Sequence, residues 1–236
     1  MSDGFEPFDA SHLAALAVGA VGVVVLVVVG RRLRGGVAAD RLLRGLAVAL
    51  LAVTAPLQVL YNLPGSFDVG RTLPVQLCDV ASLVVAWALW SRQRWAAALA
   101  YFWGFTLVPQ AIATPDLATG FPDPVFLLFW AMHLGTVWGA AALVATGIRV
   151  GWADWARSLG LTVVWALAVG ALNAALGTNY GYLAAKPRSA SVLDLLGPWP
   201  VYLLWEALLV AGVWALMALP FARGTGPRQR PRPALR

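Results

Sequence analysis

From Leu13 to Gly30 the chain carries no charged or polar side chain, and predominantly apolar stretches of similar length recur six more times. About 20 apolar residues in a helix cross the hydrocarbon core of a bilayer. A stretch of that kind leaves two options, since backbone polar groups in lipid must bond within helices or closed barrels. Runs this long and this free of alternation read as helices. The spacing predicts an all-α, polytopic membrane protein, a bundle of seven transmembrane helices at about 10–30, 40–61, 74–91, 95–114, 123–147, 155–176 and 198–220. A single domain is expected over 1–222, followed by a disordered basic cytoplasmic tail at 223–236.

Composition agrees and excludes the main competitor. The chain is 60% hydrophobic and 12% charged, whereas soluble domains are about a quarter charged. The net charge of +6 does not point to nucleic acid, because its positions follow the loops. Fourteen of the seventeen cations fall after the first, third, fifth and seventh runs, against Arg71, Lys186 and Arg188 on the other side. Asp3, Glu6, Asp9, Asp68, Asp116, Asp123 and Asp194 all lie on that second, cation-poor side. The positive-inside rule then predicts N-terminus out and C-terminus in. An acidic start is also unlike a secretory leader, so the first run is expected to be retained. One cysteine permits no internal disulfide.

The polar residues of the runs gather at one end. Tyr61, Gln76, Cys78, Asp79, Gln110, His133, Asn173, Asn179, Tyr180, Tyr202 and Glu206 all fall in or just beyond the outer halves, leaving the inner halves to aliphatic and aromatic side chains. An outward-facing polar pocket is therefore expected, and ionisable groups at membrane depth are functional candidates by default. The densest stretch is Leu73 to Ser82, where Pro74 suits a first helical turn. Gln76, Cys78, Asp79 and Ser82 fill a little under half of that helix's circumference.

Cys78 can be read as a nucleophile with His133 as its base, and Asp79 or Glu206 to orient it. It can equally be a small side chain packed in the apolar interior, and His133 a structural histidine. Counted from Pro74 and Pro124, Cys78 lies about 6 Å and His133 about 13 Å into their helices at 1.5 Å per residue, and a direct bond needs those depths to match. Two histidines at unrelated positions make no metal site, and no phosphate loop or serine-hydrolase elbow occurs. No cofactor is expected.

Three stretches carry a resemblance: Leu73 to Asp79; Tyr101 to Gly104 with Gln110 to Asp116; and Thr178 to Pro187 continuing from Asp194 to Pro200. Together they resemble the YwaF-type bacterial integral membrane proteins and their eukaryotic relative, a multi-spanning acyltransferase that makes polyunsaturated ether phospholipids. The resemblance runs from about Leu73 to Glu206. It implies a catalytic cysteine at Cys78 and a partner at His133, without fixing a substrate, and a multi-pass place in a bacterial cytoplasmic membrane.

The reading is a lipid transacylase or hydrolase whose acyl donor and acceptor are membrane phospholipids. Gln76, Asp79, Gln110, Asn173, Asn179, Tyr180, Lys186, Tyr202 and Glu206 support the pocket. Asp79, Asn179 and Lys186 are the groups expected to position His133 or a headgroup phosphate. The rival is a transporter or small-molecule or lipid-binding membrane protein without catalysis. Against transport, the seven runs show no internal repeat and the polar groups stop midway.

Overall fold

The computed structural model describes residues 5–187 and 192–222; Arg188 and the basic stretch 223–236 lie outside the described residues. The chain is all-helical: α1 (Ala10–Leu33), α2 (Val37–Tyr61), α3 (Leu77–Ser91), α4 (Arg94–Phe102) running through a π-helical turn (Trp103–Leu107) into α5 (Val108–Ala113), α6 (Pro124–Ala145), α7 (Trp152–Leu176) and α8 (Val201–Ala222). With α4 to α5 as one unit, seven helices result. Six are long and apolar enough to cross a membrane, and α3 is a shorter apolar helix. The chain is an all-α polytopic membrane protein.

The hub is α6. Within its most apolar stretch 61% of residues are buried, against 11% in α1 and in α7. Its small residues let neighbours approach closely, the usual basis of helix packing where hydrophobic burial gives no drive. A Cβ on Gly139 would lie 2.5 Å from Val85 Cγ1 of α3, and one on Gly104 of the π turn 2.6 Å from the Ala140 Cβ. On another side, Trp138 Nε1 donates to the Gly19 carbonyl of α1 at 2.9 Å. The outer faces of α1, α7 and α8 expose Val21, Val24, Val163, Leu167, Leu204 and Leu208, as lipid-facing surfaces do.

The π turn has a local cause. Pro109 has no N–H to donate, so the regular ladder cannot pass through it, and the Val108 N–H reaches back to the Trp103 carbonyl instead. Side chains occupy the loosened turn. Thr106 donates to the Phe102 carbonyl at 2.6 Å and accepts from Trp214 Nε1 of α8 at 2.9 Å. Trp103 Nε1 donates to Thr162 of α7 at 2.9 Å.

Ion pairs close the arginine-rich end. Arg94 forks onto Asp154 with Nε–Oδ1 at 2.8 Å and Nη2–Oδ2 at 2.7 Å, joining α4 to α7. Arg92 pairs with Asp40 across α3 and α2. At the opposite end, Asp9 caps α1 by accepting the His12 N–H at 2.7 Å, and this bond holds its carboxyl below the usual value. His12 Nδ1 accepts the Phe8 N–H and its Nε2 lies 2.9 Å from the Ile112 carbonyl. The ring is thus the neutral form with its proton on Nε2, tying α1 to α5.

Candidate functional site

α3 begins at Leu77 and not at Pro74, with Gln76 as its N-cap residue. The reason lies about a hundred residues away. The Tyr180 hydroxyl accepts the Leu73 N–H at 3.0 Å and donates to the Val69 carbonyl at 2.6 Å. Gln76 Oε1 accepts the Gly181 N–H at 2.9 Å, and Trp165 Nε1 donates to the Val75 carbonyl at 3.2 Å. These long-range bonds hold Leu73 to Gln76 in a non-helical turn, so the helix starts three residues later and Cys78 occupies its first turn.

The loop after α7 is built to make those contacts. Asn173 donates to the Tyr180 carbonyl at 2.9 Å and accepts from the Thr178 hydroxyl and the Tyr180 N–H, both at 2.8 Å. Asn179 Oδ1 accepts the Ala184 and Ala185 N–H groups. Gly181 has φ +65°, and a Cβ there would lie 2.6 Å from Trp165 Cη2. Tyr182 is a non-glycine residue at φ +54°, a strained conformation that persists only where its surroundings enforce it. Here the Tyr202 hydroxyl donates to its carbonyl.

Several expected pocket residues are therefore engaged in structure. Gln76, Asn173, Asn179, Tyr180 and Tyr202 hold the loop against the entry to α3. Lys186 lies 3.8 Å from Asp194 and over the Tyr202 ring. Gln110 is exposed and bonds only within its own helix, to the Thr106 carbonyl at 3.4 Å. Glu206 is half-buried, one turn beyond Tyr202, with no hydrogen bond or ion pair among the described residues.

What the structure gathers around Cys78 is partly different. Cys78 is half-buried. Burial pushes the Tyr182 hydroxyl up, nearby Asp116 and Cys78 push it further, and Arg71 opposes them. Arg71 is exposed and in no ion pair with the described residues. Asp79, buried beside Cys78, accepts from Gln58 Nε2 of α2 at 2.8 Å, while Gln58 Oε1 and Thr54 Oγ1 are buried without partners. Gln58 and Tyr182 carried no expected site role from the sequence, whereas Arg71 was expected at the pocket mouth and Asp116 among the charges of that side. Of the first two, only Gln58 left a signal there, one turn from Thr54 and one turn from Asn62.

His133 is buried, and its Nδ1 lies 2.8 Å from the Phe129 carbonyl. A carbonyl only accepts, so Nδ1 carries the proton and Nε2 holds a free lone pair. No hydrogen bond joins His133 to Cys78. Gly139 meets Val85 and Leu89, which sets the register of α3 on α6. Outward from that contact, at 1.5 Å per residue, Cys78 stands about 10 Å from Val85 or about 16 Å from Leu89, and His133 about 9 Å from Gly139, so the depths differ by a few ångströms. Rotation separates them more. Cys78 lies two turns from Val85 on the face toward α6, whereas His133 is turned about 120° from Gly139. His133 shares its stripe with Thr136 and Ala140, which face Gly104 of the π turn.

A sequence model of one family matches residues 7–218, nearly the whole described chain. The chain belongs to the TMEM164 family. No curated protein and no solved structure matches it. The TMEM164 match includes α1 and α2, whose sequences carry no motif of their own, and it takes in the whole Cys78 end. Among the described residues of this TMEM164 chain, no three His, Cys, Asp or Glu side chains are grouped to hold a metal ion.

Proposed function

We propose that this chain is a membrane-embedded acyl-transfer enzyme acting on phospholipids, with Cys78 as nucleophile and His133 as base. The observation that carries it is the position of Cys78: a half-buried thiol in the first turn of α3, on the α6-facing side, beneath the loop that carries strained Tyr182. First-turn N–H groups have no acceptor within their helix and are suited to receive an oxyanion.

In the first step Cys78 Sγ attacks the ester carbonyl of a phospholipid while His133 Nε2 takes the thiol proton. The tetrahedral oxyanion faces the α3 N-terminus. Its collapse breaks the ester C–O bond, and His133 returns the proton to the departing lyso-lipid oxygen. The acceptor hydroxyl, deprotonated by His133, then attacks the thioester and frees the thiol; water in its place makes the reaction hydrolysis. The rotation of His133 away from α3 calls for a bridging hydroxyl or water, and catalytic contacts commonly tighten only with substrate bound. Arg71, in no ion pair among the described residues, suits a headgroup phosphate better than Lys186, which is already engaged. The distribution of arginines supports an orientation with the Cys78 end outside and the C-terminus inside, and the resemblance to YwaF-type bacterial proteins supports a place in a bacterial cytoplasmic membrane.

A second reading is binding or transport of a polar solute. The unpartnered Thr54 and Gln58 oxygens beside Asp79 favour it. Intact-protein mass spectrometry after incubation with defined phospholipids separates the two. A hydroxylamine-labile acyl adduct on the wild type, lost in Cys78→Ala and diminished in His133→Ala, supports acyl transfer. No adduct and no lyso-lipid release across several headgroups leaves the binding reading.

A further inference from the structure

At the opposite end of the bundle from Cys78, a cavity of about 700 Å³ lies between α1, the π turn, α6 and α8. Its mouth holds three exposed arginines, Arg31 and Arg34 from the end of α1 and Arg149 just past α6, and its walls include Val23, Val27 and Phe105. Of the arginines flanking this end, these three line the cavity, and Arg32, Arg41 and Arg157 do not. Arg92 and Arg94 have carboxylate partners, whereas no ion pair engages Arg31, Arg34 or Arg149 among the described residues. Arg34 also lies close to the end of α6. A Cβ on Gly147 would lie 3.0 Å from Arg34 Nε, so the guanidinium sits over the turn closing α6, where the helix dipole favours a cation. Gly147, at φ +119°, makes that turn without a side chain in the way.

We infer that this cavity binds an anionic phospholipid from the arginine-side leaflet, its phosphate between Arg31, Arg34 and Arg149 and one acyl chain along Val27 and Val23. Charge complementarity names the head, since three guanidiniums in no ion pair among the described residues, set together at one cavity mouth, form forked phosphate donors. The walls name the tail. Val23 lies about 12 Å below Arg31 at helical rise, the length of a lipid's glycerol and first methylenes, and α1 and α8 on either side are lipid-facing. Basic pockets between transmembrane helices take anionic headgroups in this way. The site shares no residue with the Cys78 end and does not depend on its chemistry.

The test is native mass spectrometry of the full chain released from nanodiscs of mixed phosphatidylglycerol and phosphatidylcholine. One triple variant carries Arg31→Gln, Arg34→Gln and Arg149→Gln; a control removes the same charge at the same end with Arg32→Gln, Arg41→Gln and Arg157→Gln. The wild type and the control retain phosphatidylglycerol over phosphatidylcholine, and the cavity variant loses that preference, on the order of a hundredfold if each arginine acts fully. Val27→Trp, which keeps the arginines and fills the apolar wall, also lowers retention. Equal loss in cavity and control variants would reduce the effect to general surface charge and overturn the site. Equal retention of the two lipids, or thermal stabilisation by inorganic phosphate as large as by phosphatidylglycerol, would overturn the lipid assignment.

Discussion

The Tyr180 hydroxyl accepts the Leu73 N–H at 3.0 Å, and that one contact couples the loop after α7 to the point where α3 starts. It decides how far Cys78 stands from the end of its helix. Tyr180→Phe removes the bond and the one to Val69, leaving two part-buried backbone groups without that partner. The expected cost is about 1–3 kcal/mol, read as lowered thermal stability in detergent, with faster alkylation of Cys78. A stability loss without any change in alkylation rate would mean the coupling to α3 is absent.

Tyr180 and Tyr182 should also titrate late. Burial raises both hydroxyls above the ordinary 10.0. A raised phenol favours its neutral form in the fold, so its contribution is fully present below the unfolded value and is lost as pH rises through the folded one. Tyrosinate absorbance should therefore show a late fraction that unfolds the loop as it ionises, and Tyr180→Phe should shrink that fraction.

Gly181 faces two constraints at once, a left-handed backbone and the Trp165 ring 2.6 Å from where a Cβ would stand. Gly181→Ala is expected to cost about 1–2 kcal/mol from the backbone alone and more from the clash. Combining it with Trp165→Leu should recover only the clash. Limited proteolysis between Tyr180 and Lys186 reads the outcome, and full recovery in the double variant would mean the backbone conformation is not a constraint.

The Gln58–Asp79 bond, 2.8 Å across α2 and α3, should behave as a coupled pair. Gln58→Leu strands a buried carboxylate, while Gln58→Leu with Asp79→Leu removes donor and acceptor together. The double variant is expected to be more stable than Gln58→Leu by about 1–3 kcal/mol. Simple additivity in chemical denaturation would contradict it.

The two ion pairs at the arginine-rich end should differ. The Asp154 side chain is 2% exposed beneath Arg94, whereas Arg92 and Asp40 are 39% and 47% exposed. Arg92→Gln is expected to cost about 0–1 kcal/mol, the range of surface pairs. Arg94→Gln leaves a buried carboxylate unpaired and should cost clearly more. Comparable unfolding temperatures for the two variants would remove the distinction.

The seven helices were legible because lipid demands apolar runs of a set length, and Leu13 to Gly30 states that demand without ambiguity. The polar end was legible for the same reason in reverse. The work of the polar groups there was not. Gln76 and Tyr180 read as pocket residues, but their partners lie up to 111 residues away, and no local pattern encodes such pairings. Pro74 suited a helix start that a distant hydroxyl displaces to Leu77. For Cys78 and His133 the sequence supplies depth, while azimuth came only from Gly139 meeting Val85 and Gly104 meeting Ala140. Gln58 escaped notice inside an otherwise apolar run, its meaning visible only once Asp79 lay opposite.

The wide turn at Trp103–Leu107 acts as a phase setter for α5. Were the same residues wound as continuous α-helix, without the one extra residue that the wide turn takes up, everything from Val108 onward would swing by about 100°. The Ile112 carbonyl would turn away from His12, and the first helix would lose its tether to the fifth. Length at this point in the chain is therefore information in its own right: a single-codon deletion that closes the wide turn keeps the phase of α5, and one elsewhere in the same helix does not.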